Sequence, residues 1–243
     1  MNTLTAEEKR AGYELLFNGR DFQGWSLEAN WKVEEGTLFF AKHGPSLRYS
    51  AKRMPDDFEL RFDWRVAPGS NSGICYRPGQ YEYQILDNKA YGGSNPRTRA
   101  GSLYFCMPTS RDATRPVGEW NTGRIVCQGT VIQHWLNGEK IIDFDYADAQ
   151  YATAVGLLRA AYKTELSGRG SYLGLQAHVN VGWFRNIKLR VIPTDEVLDR
   201  TPITPEVVSR AALEREQQII EQKQKKEAAE QAQTGQRRNG NLR

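Results

Sequence analysis

The chain lacks any long apolar run. Its uncharged apolar stretches are short pieces such as Ala160–Tyr162 and Ile141–Ile142, far below the ~18–20 residues a membrane helix needs. A helical membrane span is excluded. Cysteine is scarce as well. Cys75, Cys106 and Cys127 are odd in number and have no metal-ligand spacing. Each lies in an apolar or aromatic stretch, so buried free thiols are expected. No Gly-rich phosphate loop, Gly-x-Ser-x-Gly elbow or His-Glu-x-x-His motif occurs. Residues 1–10 have no apolar signal core, which leaves a cytoplasmic protein or one whose signal peptide has been removed. A large charge of one sign is missing too. The net charge is +4, and the segment from Pro193 on carries nine residues of each sign, so the whole excess is spread over residues 1–192. Arg97, Arg99, Arg111 and Arg115 form a loose loop cluster but no phosphate-tracking stripe, so no nucleic-acid partner is expected.

What is present is β-rich. The 243 residues include 22 Gly, 6 Trp, 11 Tyr and 9 Phe, and 39% are hydrophobic, enough for one large core. A threonine ahead of Ala6-Glu-Glu8 predicts a short helix within residues 1–9, capped and with acids in its first turn. From residue 10 to 192, short aromatic and β-branched runs alternate with Gly, Asn, Asp and Pro, as in a sandwich or barrel. In Phe58–Val66 the apolar residues Phe58, Leu60, Phe62, Trp64 and Val66 take one face, and Glu59, Arg61, Asp63 and Arg65 the other. Further strands are predicted at Trp31–Phe40, Ser72–Arg77, Tyr81–Leu86, Ser102–Cys106, Gly123–Gln128, Thr130–Leu136, Lys140–Tyr146, Tyr172–Gln176 and Trp183–Val191. Turns are predicted at Gly129 and Asn137-Gly138. No long helical period is found before Ile192. The fold predicted is all-β, one antiparallel two-sheet sandwich. Residues 193–243 read as a linker followed by a charged helical or partly disordered tail. Pro205–Gln233 is its helical part, either docked, mediating oligomerisation, or solvated, and disorder is expected from Thr234.

Two segments could carry chemistry. Strand parity sets Glu82 and Gln84 on one face, with Asn71, Gly73, Cys75 and Arg77 on one face of the neighbouring strand. Polar residues beside glycine suit a cleft, or equally a solvated strand face. In Tyr172–His178, Leu173, Leu175 and Ala177 form the core set, while Tyr172, Gly174, Gln176 and His178 share the opposite face. His178 could act as base, acid or metal ligand, or be structural. His134 shares a face with Ile132 and Leu136 and is expected to be partly buried. His43, in a Gly-Pro loop, looks incidental. Glu82 is the single acid on its face, which disfavours two-carboxylate glycoside hydrolysis.

Ten stretches spanning roughly residues 10–192 resemble, in order, the bacterial 3-keto-disaccharide hydrolase family, formerly a domain of unknown function. They are Gly12–Trp25, Trp31–Leu38, Asp57–Leu60, Asn71–Ile74, Glu82–Asn88, Ala100–Tyr104, Pro116–Asn121, His134–Gly138, Leu175–His178 and Phe184–Ile187. The resemblance stops at Pro193. It departs at Ala177 and Val179, where the family usually carries Asp and Gly. That loss removes a potential orienter of His178. The resemblance implies a jelly-roll of the concanavalin A-like or laminin G-like kind, a periplasmic or secreted location with a cytoplasmic one left open, and a carbohydrate partner. It also implies cleavage of a glycoside already oxidised at C3. The ketone acidifies the C2 proton, one base removes it, the C1 group leaves, and water adds to the resulting glycal. On this reading His178 or Glu82 is the base, with Asn71, Arg77, Gln84, Gln176, Tyr172 and Trp120 around the sugar. Glu82 and His178 could instead share a divalent metal ion. A lectin-like module that binds sugar without turnover, or a scaffold using its C-terminal helix as an arm, would use the same sandwich.

Overall fold

The computed structural model describes the backbone of residues 1–91 and 95–240, with side chains up to residue 231. The chain opens with helix α1 (Ala6–Arg10), where the Thr5 side chain accepts from the Glu8 amide and the Glu8 side chain from the Thr5 amide. Twelve strands follow: β1 (Glu14–Leu15), β2 (Trp31–Glu34), β3 (Thr37–Phe40), β4 (Gly44–Tyr49), β5 (Phe58–Val66), β6 (Asn71–Arg77), β7 (Tyr81–Leu86), β8 (Asn121–Gln128), β9 (Val131–Leu136), β10 (Glu139–Asp145), β11 (Leu173–Ala177) and β12 (Gly182–Val191). Helix α2 (Ala152–Tyr162) precedes β11, and α3 (Arg210–Gly240) follows β12.

All pairings are antiparallel. One sheet runs β10-β9-β8-β5-β12-β3-β2 with β1 added on β12, and the other runs β4-β11-β6-β7. This is a two-sheet jelly-roll sandwich with a C-terminal helix. The apolar alternation of β5 explains the core. Phe58, Leu60, Phe62, Trp64 and Val66 are all buried, and Phe62 meets Tyr83 of the facing sheet edge-on at 5.2 Å. His134 is fully buried rather than partly so. Its Nδ1 lies 2.9 Å from the Gly101 carbonyl and its Nε2 2.8 Å from the Tyr76 hydroxyl, so both nitrogens have partners. Burial pushes it down to about 4, leaving a neutral core imidazole.

Local chemistry accounts for the departures from expectation. Trp31–Phe40 is a hairpin, because Glu35 and Gly36 both take positive φ and turn the chain. Ser102–Cys106 forms no named strand. Phe105 is left-handed (φ 59°), and only Leu103 bridges, to Tyr83 and Met107. Helix α2 falls where no helix was expected. Its buried residues Ala154, Leu158 and Ala161 recur at helical spacing, but Gly156 and the β-branched Thr153 and Val155 blur that period.

Residues 193–209 run along the sandwich. The Glu196 carboxylate accepts from Arg190 at 2.6 Å, the Asp199 carbonyl from Gln133 and Lys140, and the Thr109 carbonyl from the Glu206 amide. Helix α3 then docks through Ala212, Glu216 and Ile220, one residue per turn. Glu216 is 2% exposed and is met by Arg97 at 2.7 Å and Asn95 at 2.9 Å. Further along, Lys223 Nζ lies 4.0 Å from the centre of the Tyr162 ring on α2. The helix backbone continues through residues 234–240, where disorder was expected; residues 241–243 lie outside the described part.

Candidate active site

The outer face of the four-stranded sheet holds most of the predicted polar residues. The β6–β7 register sets Cys75 opposite Glu82 and Gly73 opposite Gln84, and β11 sets Gly174 opposite Cys75. Continuing that register by one residue brings Gln176 beside Gly73. Two lateral rows result, Glu82–Cys75–Gly174 and Gln84–Gly73–Gln176. Cys75, Gly174 and Gln176 are half-buried and form the open part of this strip.

Glu82 lies at its covered edge, 2% exposed. Its carboxylate leans across Gly73: a Cβ built on that glycine would fall 2.0 Å from Oε1, so the space the acid occupies exists because residue 73 has no side chain. The Gln80 amide donates to Oε2. Loss of water nevertheless dominates and pushes the Glu82 carboxyl up to about 8, with the Gln80 bond opposing only in part. Tyr104 and Tyr162 stand beside it. Their hydroxyls are 3.3 Å apart, the Tyr104 amide donates to the Glu82 carbonyl at 3.0 Å, and both phenols are raised by burial and further by the charge on Glu82. Gln84 is 3% exposed, its Oε1 accepting from the Ile85 amide, so its amide nitrogen is the group it has to offer. Among the described residues, the Oε1 of Gln176 and the Oδ1 of Asn71 are buried with no donor. Such orphaned acceptors are costly unless something fills them. A titratable acid near neutrality is able to move a proton, and the unpaired amide oxygens farther along the strip are able to hold hydroxyl groups.

The other predicted residues divide. His178 is exposed at the end of β11, its carbonyl 2.9 Å from Nδ1 of His43 and the two rings 6.0 Å apart, so His43 is its partner rather than incidental. From strand spacing, its Cα lies roughly 16 Å from that of Glu82, two strands across and four residues along. The two therefore do not meet as a pair or share one small ion, and among the described residues no group of three or more His, Cys, Asp or Glu side chains is gathered for a metal. Tyr172 keeps the same face but lies under the guanidinium groups of Arg53 and Arg48, 4.9 and 5.3 Å from its ring centre.

Arg77 is corrected. A register shift between Cys75 and Arg77 turns it inward, where it is 2% exposed and donates to the Asp56 carbonyl at 2.7 Å and the Tyr81 hydroxyl at 3.2 Å. Trp120 is corrected too. It belongs to the other sheet's outer surface, with Arg185 3.8 Å from its ring centre. Ala177 faces the core, as its parity with Leu173 and Leu175 predicts, and is 1% exposed. Gln80, Tyr104 and Tyr162 were not foreseen. Gln80 shares the parity of Glu82 and was open to detection, whereas Tyr162 comes from the unexpected helix.

Open cavities among the described residues include one of about 380 Å³ over Arg61 and Trp135, one of about 500 Å³ beside Leu86 and Asp87, and one of about 550 Å³ beside Arg65. Among the described residues no helix is long and apolar enough to cross a membrane.

Comparison with known proteins adds a family. Residues 12–190 match the model of a 3-keto-alpha-glucoside-1,2-lyase-like domain. A 3-keto-disaccharide hydrolase of Bacteroides thetaiotaomicron is 27% identical, over 79% of this chain and 82% of that protein. A crystal structure from Parabacteroides distasonis, designated a candidate glycosyl hydrolase, superposes with a TM-score of 0.67 at 25% identity, covering 79% of this chain and 99% of its own. A second from that organism, at 23% identity and a TM-score of 0.59, shares the fold.

Proposed function

We propose, because the chain belongs to the family of 3-keto-alpha-glucoside-1,2-lyase-like domains, that it cleaves the glycosidic bond of 3-keto-glycosides by elimination and hydration. The observation that carries the reading is Glu82: the buried acid of this strip, held up to about 8 and cradled on Gly73. One base suffices for this reaction. Ionised Glu82 takes the C2 proton, and the C2–H electrons delocalise onto the C3 oxygen as an enolate. That oxygen is met by the side-chain amide nitrogen of Gln84. When the ketone re-forms, the electrons make a C1=C2 bond and the C1–O bond breaks, its oxygen taking a proton from solvent water while Glu82 returns its own to the solvent. Water then adds its oxygen to C1 and a proton to C2, giving the 3-keto sugar. The acceptors of Gln176 and Asn71 bind sugar hydroxyls, and His178 with His43 stands at the far end of the strip, away from C2. The family relative named as a 3-keto-disaccharide hydrolase supports the substrate class.

A chromogenic 3-keto-glucoside tests this in D₂O. Aglycone release, with deuterium at C2 of the product and no release from the unoxidised glucoside, is the expected result. kcat/KM should rise with pH through about 8 as Glu82 ionises. Release from both glucosides at equal rates, or product without deuterium at C2, would sink the elimination. A module that binds sugar without turnover would release nothing under any condition.

Gly73→Ala offers a second check. The methyl group would collide with Oε1, Cδ and Cγ of Glu82, so the carboxylate must swing away. Displacing a base by about 1 Å costs roughly 100-fold in rate. The expected variant is folded by circular dichroism, with kcat down by about that factor. Unchanged kcat would show that the cradle is irrelevant to the chemistry.

A further inference from the structure

The outer face of the eight-stranded sheet is crowded with basic side chains, and most of those near β5 and β12 are neutralised. Arg61, Arg124 and Arg190 converge on Glu59, Arg185 meets Asp63 at 3.1 Å, and Lys188 meets Glu8 at 2.7 Å. Arg65 is different. Among the described residues it makes no hydrogen bond and no ion pair, and its Nε is buried without an acceptor. It is nonetheless held in place. Its guanidinium carbon lies 4.2 Å from the Trp183 ring centre and 5.0 Å from that of Trp120, so two indoles fix the plane of the fork. The group borders the cavity of about 550 Å³, whose lining also includes the exposed Glu34 and Glu35. That volume falls within the roughly 300–1,000 Å³ of small-molecule sites.

These features select a ligand. A planar guanidinium with unspent donors, set by flanking rings, matches a carboxylate through two parallel hydrogen bonds. A ligand that was all carboxylate would be repelled by Glu34 and Glu35. One carrying a single carboxylate and several hydroxyls would bond to Arg65 through the carboxylate and donate to those acids through its hydroxyls. We propose that this face is a second saccharide site, specific for a uronate-bearing oligosaccharide and separate from the Glu82 strip, which lies on the opposite side of the sandwich. It would tether the protein to acidic polysaccharide while the other face acts on small glycosides.

Titration of the full chain with galacturonate and glucuronate trimers, read by indole fluorescence and calorimetry, tests the site. Both Arg65→Gln and Arg65→Lys should bind at least tenfold more weakly, the second because it keeps the charge and loses the fork. Methyl esters of the trimers should also bind at least tenfold more weakly than the acids, acetate should not compete at equal concentration, and turnover of a 3-keto-glucoside should be unchanged in both variants. The proposal is overturned if neither trimer binds the unaltered protein, if the esters bind as tightly as the acids, if acetate competes equally, or if the variants bind normally. Because turnover is measured separately, failure here and failure of the glycosidase reading are distinguishable.

Discussion

Glu82→Gln is expected to lower kcat by about 1,000-fold and, at the same time, to make the protein more stable in alkaline solution. The first effect follows from removing the base, a contribution of roughly 100- to 10,000-fold. The second follows from the sign of its shift. Glu82 holds its proton up to about 8 in the folded chain, against 4.5 when unfolded. Between those values the native state binds a proton the unfolded state has released, so this group's contribution to stability falls as pH rises across that window. Glutamine cannot ionise and escapes the penalty, on the order of a few kcal/mol once the window is crossed. Melting temperatures of the two proteins should coincide at pH 4 and separate progressively to pH 8.5, the variant being higher. A variant less stable at pH 8.5 would mean the carboxylate is paired rather than desolvated. Undiminished turnover would remove Glu82 from the chemistry. Gain of stability with loss of activity at one residue is a signature of a functional site.

How far this site could be read from the chain depends on which residues obey simple periods. Glu82 and Gln84 alternate with Tyr81, Tyr83 and Ile85 without interruption, so their shared face was visible in the sequence, and Gly73 and Gln176 followed from the same parity. β5 was legible for the same reason. Arg77 defeated the rule because a register shift two residues past Cys75 inverts parity, and no side-chain pattern signals where a bulge falls. Trp120 and Tyr162 reach their places through long connections, and distance across a fold is not encoded in local spacing. His178 was assigned the correct face at the wrong height: parity gives the side of a sheet but says nothing about separation along it.

Glu59 carries the other large expectation, in stability rather than catalysis. It lies on the polar face of β5, where a solvated acid was foreseen, yet it is 0% exposed. Arg61 and Arg190 each approach within 2.7 Å and Arg124 within 2.6 Å, and Arg190 also grips Glu196, tying the segment after β12 to the same acid. Burial opposes ionisation, but the Tyr13 hydroxyl and the three arginines outweigh it and hold the carboxyl down at about 2. Glu59→Gln removes the only negative charge these arginines share at that point. Breaking one side of a buried ionic cluster costs about 3–5 kcal/mol, so the melting temperature at pH 7 should fall by about 10 °C for a chain of this size. The sign is opposite to that of Glu82. A folded pKa below the unfolded 4.5 stabilises above pH 4.5, and that contribution disappears as pH falls towards 2. The gap between Glu59→Gln and the unaltered protein should therefore be flat from pH 5 upward and close on acidification. Turnover measured well below the transition should be unaffected, because Glu59 and Glu82 lie on opposite faces of the sandwich. A melting temperature within about 2 °C of the unaltered protein at pH 7 would show that the cluster is solvated and the segment after β12 independent of it. Together the two acids divide the molecule: one sheet face is stabilised by a charge it keeps, and the other is destabilised by a charge it needs for chemistry.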